Sequence, residues 1–197
     1  MRAFFALDID EASLRAIGDL SRRLASSKER PSAKMSFSDP AQMHVTVQFL
    51  GDIEDARAPE FVAVAADLAY LGAPRALLDD PTAFPSALRA RTIVVPLEDP
   101  DGALARLAAE VASRTLALGI PREARPYRPH VTLARVRSGP TDARAWLAKE
   151  RVPASLKLSA FALYRSDAAP TGTKYTSLAR FPYSTSQAPS ENSGMSS

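Results

Sequence analysis

Two segments of the chain begin with the same tripeptide and constrain the fold more than any other feature. They are QMHVTVQFLGD at residues 42–52 and YRPHVTLARVR at residues 127–137. Apolar and polar residues alternate after each histidine, which is the period of a strand with one buried face. His44 and His130, which open the two repeats, are also the only histidines in the sequence. The chain is therefore predicted to contain two half-buried strands that both begin with His-Val-Thr.

Alternation assigns the residues of the first strand to two faces. The core face is predicted to hold Val45, Val47 and Phe49. The opposite face is predicted to hold His44, Thr46 and Gln48, and Gly51-Asp52 is predicted to end the strand. In both segments the histidine and the threonine point the same way, because residues i and i+2 of a strand share a face.

The remaining segments predict an α+β protein. Apolar alternation predicts strands at 1–10, 75–79, 91–97, 157–165 and 173–181. Helical spacing of apolar residues predicts helices at 11–26, 59–70, 101–119 and 141–150. Asp10 and Thr141 are predicted N-caps, and Gly119 is a predicted C-terminal stop. Residues 27–42, which are rich in serine, proline and lysine, are predicted to form an exposed loop.

The order of these elements predicts one domain made of two comparable α-plus-β halves, each with one His-Val-Thr strand. This domain is expected to span residues 1–183. Residues 184–197 carry no apolar pattern and are predicted to be a disordered tail.

Composition excludes several kinds of site. The sequence has no cysteine, which excludes disulfides, thiolate metal sites and cysteine nucleophiles, and fits a cytoplasmic protein. No apolar run approaches the roughly 18 residues of a membrane-spanning helix, so no membrane association is expected. Five arginines stand against one acidic residue between residues 122 and 137. That cluster favours a polyanionic ligand, although a solvated basic loop has the same composition.

Two imidazoles and two hydroxyls that converge in a cleft suit a phosphodiester. Threonine hydroxyls donate to phosphoryl oxygens, and histidine gains or loses a proton near neutral pH. In-line cleavage of a phosphate ester needs a base on the attacking oxygen and an acid on the leaving oxygen, which two histidines supply without metal. Because one histidine must be protonated and the other neutral, their environments should give them different pKa values. The rival is a zinc site, which needs a third ligand such as Asp52.

These segments resemble the paired signatures of the two-histidine phosphoesterase superfamily. The similarity is greatest to the bacterial and archaeal RNA 2′,3′-cyclic phosphodiesterases, also named 2′-5′ RNA ligases. MRAFFALDI at residues 1–9 is similar to the opening strand of that family, and FALYRSDAAPTGTKYTSLARFPY at 161–183 to its closing pair of strands. The resemblance implies a bilobal α+β fold, with an antiparallel sheet in each lobe, helices on the outside and a cleft between the lobes.

The resemblance also implies an activity, which is metal-independent hydrolysis of an RNA 2′,3′-cyclic phosphate to a 2′-phosphate without a cofactor. It implies that His44 is the general acid on the 3′-oxygen and that His130 is the general base on water. Thr46 and Thr132 would hold the non-bridging oxygens, and Arg135 would contact the phosphate or the substrate. The expected partner is an RNA end with a cyclic phosphate, bound by a monomer.

The sequence leaves several points open. Strict alternation puts Arg135 on the face opposite His130, so it reaches the cleft only if the strand ends, twists or bulges near Ala134. Where relatives often carry Trp-Val-x-x-x-Asn before the first motif, this chain has Phe37 and then Gln42, and Val95 stands where many have a second tryptophan. Phe37 or Tyr127 is therefore a candidate stacking face. The same site would permit 2′-5′ ligation or another cyclic or 2′-5′-linked nucleotide substrate. A binding module without turnover remains an alternative, although binding alone does not require two titratable groups.

Overall fold

Nine strands and four α-helices occupy the part of the chain that the computed structural model describes, residues 1–69, 71–169 and 172–183. The strands are β1 (Arg2–Ile9), β2 (Met35–Phe37), β3 (His44–Asp52), β4 (Leu77–Leu78), β5 (Thr82–Phe84), β6 (Thr92–Glu98), β7 (His130–Val136), β8 (Leu158–Ala169) and β9 (Gly172–Pro182). The helices are α1 (Glu11–Ser26), α2 (Ala58–Ala69), α3 (Ala103–Ala117) and α4 (Arg144–Leu147). The predicted disordered tail lies outside the described residues.

The strands form two antiparallel half-sheets that meet at the two His-Val-Thr strands. The order along the sheet is β4-β6-β7-β3-β1-β8-β9, with β2 also paired to β7 and β5 to β6. β3 and β7 pair through one antiparallel position, Val45 with Val131. We call β3-β1-β8-β9 the first lobe and β7-β6 with β2, β4 and β5 the second lobe. The predicted α+β class and bilobal architecture are confirmed.

The lobes do not coincide with the two halves of the sequence. β8 pairs with β1 along its length, so the C-terminal hairpin of β8 and β9 belongs to the first lobe. This hairpin covers the edge of β1 that β3 leaves open, which keeps the unpaired backbone groups of that edge from solvent. β2 lies inside the predicted loop at 27–42 and pairs with β7 of the second lobe. Each lobe is therefore assembled from distant parts of the chain.

The helices pack against the apolar side of the sheet and against one another. α1 begins as predicted, because the Asp10 carboxylate accepts a hydrogen bond from the Ser13 N–H at 2.9 Å. The buried Trp146 of α4 donates from its indole Nε1 to the Leu24 carbonyl of α1 at 3.1 Å. α2 contacts β8, β9 and α3, and α3 contacts β3. The apolar faces of the sheet and of these helices form one continuous core.

The predicted cap of the last helix is wrong. Thr141 exchanges two backbone hydrogen bonds with Ala90, at 2.8 and 3.1 Å, in an isolated antiparallel bridge. α4 begins only at Arg144, after Ala143. The extended pairing holds Thr141 outside the helix, where its side chain cannot cap the first turn.

The helices of the described residues include none that is both long enough and apolar enough to span a membrane.

Candidate active site

The contact between β3 and β7 brings the two His-Val-Thr segments side by side. Val45 and Val131 are buried partners, and each is flanked by a half-buried histidine and threonine that point to the other face. Because the strands are antiparallel, His44 falls beside Thr132 and Thr46 beside His130. The structure thus brings together the four side chains that the repeated tripeptide predicted.

A cavity of about 590 Å³ lies over this face of the sheet. Its wall includes His44, Thr46, Phe49, Thr132, Arg135 and Arg137. His130 is not part of that wall, but it is close enough to His44 for its charge to lower the pKa of His44. Both predicted threonines and the predicted arginine therefore line the same space as His44, with His130 beside it.

A bulge in β3 breaks the alternation that the sequence predicted. Gln48 pairs with Phe5 of β1 and Thr46 pairs with Ala6, so Val47 is an extra residue on β3. Beyond the bulge the faces are exchanged. Gln48 accepts a hydrogen bond from the Thr115 hydroxyl of α3 at 3.1 Å, whereas Phe49 is 63% exposed and lines the cavity. The predicted faces of Gln48 and Phe49 are wrong for this reason.

β7 has a bulge at the equivalent position, and it turns Arg135 toward the cavity. Ala134 pairs with Ile93 of β6 and Thr132 pairs with Val94, so Leu133 is the extra residue. Leu133 and Ala134 are both fully buried, and the next residue, Arg135, is exposed and lines the cavity. The bulge supplies the irregularity near Ala134 that alternation required for Arg135 to reach the cleft.

The two lobes repeat one another closely around these strands. In both strand pairs the bulge follows the threonine directly, and the first residue turned back to the cavity, Phe49 or Arg135, lies five positions after the histidine. The lobes differ in the residue that pairs with each histidine: His44 faces Asp8 of β1, whereas His130 faces Pro96 of β6. The two histidines therefore lie in equivalent places with different neighbours.

Both imidazoles are oriented by the backbone two residues before them. Nδ1 of His44 lies 2.8 Å from the Gln42 carbonyl oxygen, and Nδ1 of His130 lies 2.7 Å from that of Arg128. A carbonyl only accepts, so each Nδ1 carries the hydrogen and donates it. The reactive nitrogen of both rings is therefore Nε2, which is a base when the ring is neutral and an acid when it is protonated.

Both imidazoles lie against aromatic rings. The His44 ring lies 4.9 Å from the Phe4 ring and 5.0 Å from the Tyr175 ring, measured between centroids. The His130 ring lies 5.1 Å from the Phe84 ring. These apolar surfaces keep water away, and burial is the largest cause that lowers the pKa of each histidine below its ordinary value. Nearby Arg135 lowers both pKa values further.

The candidate stacking residues proposed from the sequence differ in their surroundings. Tyr127 packs against the core and donates from its hydroxyl to the Thr46 carbonyl at 3.2 Å, so its ring is part of the support of β3. Phe37 is half-buried and lines the cavity. Val95 is fully buried as the β6 partner of Val131 and does not line the cavity. The exposed Phe49 is the aromatic residue that alternation missed; its spacing from His44, identical to that of Arg135 from His130, was the available signal.

The described residues contain no group of three or more His, Cys, Asp or Glu side chains arranged to hold a metal ion. Asp52, the carboxylate considered as a third ligand, is exposed at the far end of β3, where it pairs with Arg2. Its position therefore separates it from His44 by the length of the strand.

Comparisons with known proteins connect this geometry to one family. The sequence model described as LigT like Phosphoesterase matches residues 7–94 and, a second time, residues 95–175. The chain is 32% identical over 192 residues to the RNA 2′,3′-cyclic phosphodiesterase of Thermus thermophilus, covering 92% of this chain and 89% of that one. It is 27% identical over 187 residues to the RNA 2′,3′-cyclic phosphodiesterase of Methanothermobacter thermautotrophicus, covering 92% and 98%.

A solved structure agrees with these relatives. The fold is similar to that of a crystal structure of a Thermus thermophilus protein, with a TM-score of 0.72 and 29% sequence identity. The alignment covers 93% of this chain and 98% of that one. The similarity thus includes both lobes and the strands between them.

Proposed function

This chain belongs to the LigT-like phosphoesterase family, and we propose that it hydrolyses the 2′,3′-cyclic phosphate at an RNA end to a 2′-phosphate. The relatives that match it over nine-tenths of its length carry the name of that activity. The observation that carries the proposal is a pair of imidazoles, each held through Nδ1. One of them, His44, lines a cavity together with Thr46, Thr132 and Arg135, and His130 lies beside it.

In this reaction the two histidines act on opposite sides of phosphorus. Nε2 of neutral His130 takes a proton from water as the water oxygen forms a bond to phosphorus. The bond from phosphorus to the 3′-oxygen breaks, and protonated His44 donates its Nε2 proton to that oxygen. Each such group contributes about 10²- to 10⁴-fold to the rate. Solvent then returns the proton to His44 and removes one from His130, which completes the cycle without a metal.

The other groups bind the phosphate. The hydroxyls of Thr46 and Thr132 lie beside the imidazoles and donate to the non-bridging oxygens. Arg135 has no carboxylate partner within 4 Å among the described residues, so its guanidinium is available for the dianionic transition state. These groups supply the positive charge and the hydrogen bonds that a metal ion supplies in other phosphoesterases.

Phe49 provides a surface for the terminal base. Its exposed ring lies 5.9 Å from the buried Phe4 ring, which holds it from behind. A base stacked on such a ring gains affinity without regard to its identity, since every base has a π-face. We therefore include broad base tolerance in the proposal.

The proposal includes a cytoplasmic monomer as the active unit, without an obligate protein partner. Ligation of 2′-5′ linkages is the reverse-direction alternative, in which an RNA 5′-hydroxyl takes the place of water at His130. Analytical ultracentrifugation of the free protein tests the monomer.

Turnover in a chelator separates this enzyme from a binding module. An RNA ending in a 2′,3′-cyclic phosphate is incubated with the protein in EDTA, and the RNA ends are analysed. The proposal predicts conversion by the wild type and almost none by His44→Ala or His130→Ala. Tight binding by all three proteins with no product would support the binding module, and activity lost in EDTA would contradict the metal-free reaction.

A further inference from the structure

Asp8 breaks the equivalence of the two histidines. It is the β1 residue in register with His44, and directly paired residues of an antiparallel sheet point to the same face. The corresponding residue in register with His130 is Pro96, which carries no charge. The two imidazoles have the same kind of backbone anchor and the same arginine neighbour, but only His44 faces a carboxylate across its strand pair.

The Asp8 carboxylate is held in place by two neighbouring strands. The Tyr164 hydroxyl of β8 donates to Oδ1 at 2.7 Å, and Nε of Arg180 in β9 donates to Oδ2 at 2.6 Å. The side chain of Asp8 is 14% exposed, whereas that of Arg180 is 45% exposed. A small cavity of about 190 Å³ is lined by these three residues together with His44 and Tyr175. A shielded carboxylate with fixed oxygens thus lies beside the imidazole.

We propose that Asp8 is a positioning residue that retains the proton on His44 and thereby determines which of the two equivalent histidines acts as the acid. The inference rests on the proposed function for its catalytic meaning. The effect of the Asp8 carboxylate on protonation of the His44 imidazole can be measured even if the protein has no activity.

The charged and titratable groups around His44 come from four strands. They are Asp8 of β1, His130 and Arg135 of β7, Tyr164 of β8, and Tyr175 and Arg180 of β9. Among these, Asp8 raises the pKa of His44, whereas Arg135 and His130 lower it. For His130, burial and Arg135 lower the pKa, and its raising contact is the Arg128 carbonyl. Arg135 thus lowers the pKa of both histidines, and Asp8 counteracts that effect at His44 alone.

Nuclear magnetic resonance tests this directly, because the chain has two histidines and gives two imidazole Cε1–H signals. In Asp8→Asn the His44 signal should titrate at lower pH, and the His130 signal should change much less. Arg180→Gln removes a positive charge and keeps Asp8, so the His44 signal should move in the opposite direction. Asp167→Asn is the matched control, since it removes a carboxylate paired with Arg165 at 2.8 Å on the same hairpin.

Kinetics give a second readout that a purely structural role would not move. In Asp8→Asn the alkaline limb of the pH profile of kcat/KM should shift to lower pH. At pH 7.5 kcat/KM should be roughly tenfold below that of the wild type, and this difference should become smaller at acid pH. A uniform loss at every pH, or a His44 titration unchanged in a variant with wild-type thermal stability, would overturn the inference. An inactive wild type with the expected titration shifts would instead contradict the proposed function and leave the Asp8 effect intact.

Discussion

Phe49 and Arg135 occupy equivalent positions in the two lobes, each five residues after a histidine and each turned into the cavity by a one-residue bulge. The same type of bulge thus orients an aromatic ring of one lobe and a guanidinium of the other toward the cavity. In the proposed complex the ring lies against the terminal base and the guanidinium against the phosphate. In that complex, the positions of the two side chains determine which way the RNA end lies in the cavity.

Replacing Phe49 should weaken recognition of the base while the reaction itself continues. Stacking of a base on an aromatic residue contributes about 1–3 kcal/mol, so Phe49→Ala should lower kcat/KM for RNA ends by roughly 5- to 150-fold. Phe49→Trp should retain most of the activity. Ribose 2′,3′-cyclic phosphate, which has no base, is the control substrate, and the wild type and Phe49→Ala should process it at similar rates. An equal loss on both substrates would contradict a stacking role.

Replacing Arg135 should affect both rate and pH dependence. Arg135→Gln removes charge from the transition state and should lower kcat by roughly 10²- to 10³-fold. Because Arg135 lowers the pKa of both histidines, the variant should also titrate both imidazole signals at higher pH. Arg135→Lys keeps the charge but not the two-pronged geometry and should recover only part of the rate. Arg122→Gln, in the same basic segment, is the matched control and should leave both measurements near wild type.

A sulfur leaving group should separate the acid from the base. A thiolate leaves without protonation, so a substrate with sulfur in place of the 3′-oxygen of the cyclic phosphate does not need an acid. His44→Ala should therefore lose far less activity on the sulfur substrate than on the oxygen substrate. His130→Ala should lose about the same on both, because water still needs a base. The reverse pattern would exchange the two roles.

Acidification should destabilise the fold through the two half-buried imidazoles. Their pKa values are lowered in the folded state, so the unfolded chain binds more protons as pH falls through its own histidine value of about 6.5. The free energy of unfolding should therefore fall between pH 7.5 and pH 5. Denaturant titrations should show a smaller fall in the double variant His44→Asn/His130→Asn. An identical pH dependence in the two proteins would show that other groups control it.

The sequence predicted the repeated strands, the α+β class and the pairing of histidine with threonine, because these depend on local periodicity and on a repeated motif. It misplaced Gln48 and Phe49, since a bulge is set by how β3 pairs with β1 and leaves no mark in the alternation itself. For the same reason, the alternation did not determine on which face of β7 the Arg135 side chain lies. Asp8 was not among the predicted site residues, because its neighbours Tyr164 and Arg180 come from strands more than 150 residues away along the chain.

The regiochemistry of hydrolysis in labelled water tests the central claim most directly. A single turnover of an RNA 2′,3′-cyclic phosphate in H₂¹⁸O and EDTA, followed by mass spectrometry and mapping of the phosphorylated hydroxyl, reports which bond forms and which breaks. Paired-histidine catalysis with His44 at the 3′-oxygen predicts a 2′-phosphate that carries one ¹⁸O atom. A 3′-phosphate, or a product formed only when metal is restored, would contradict it.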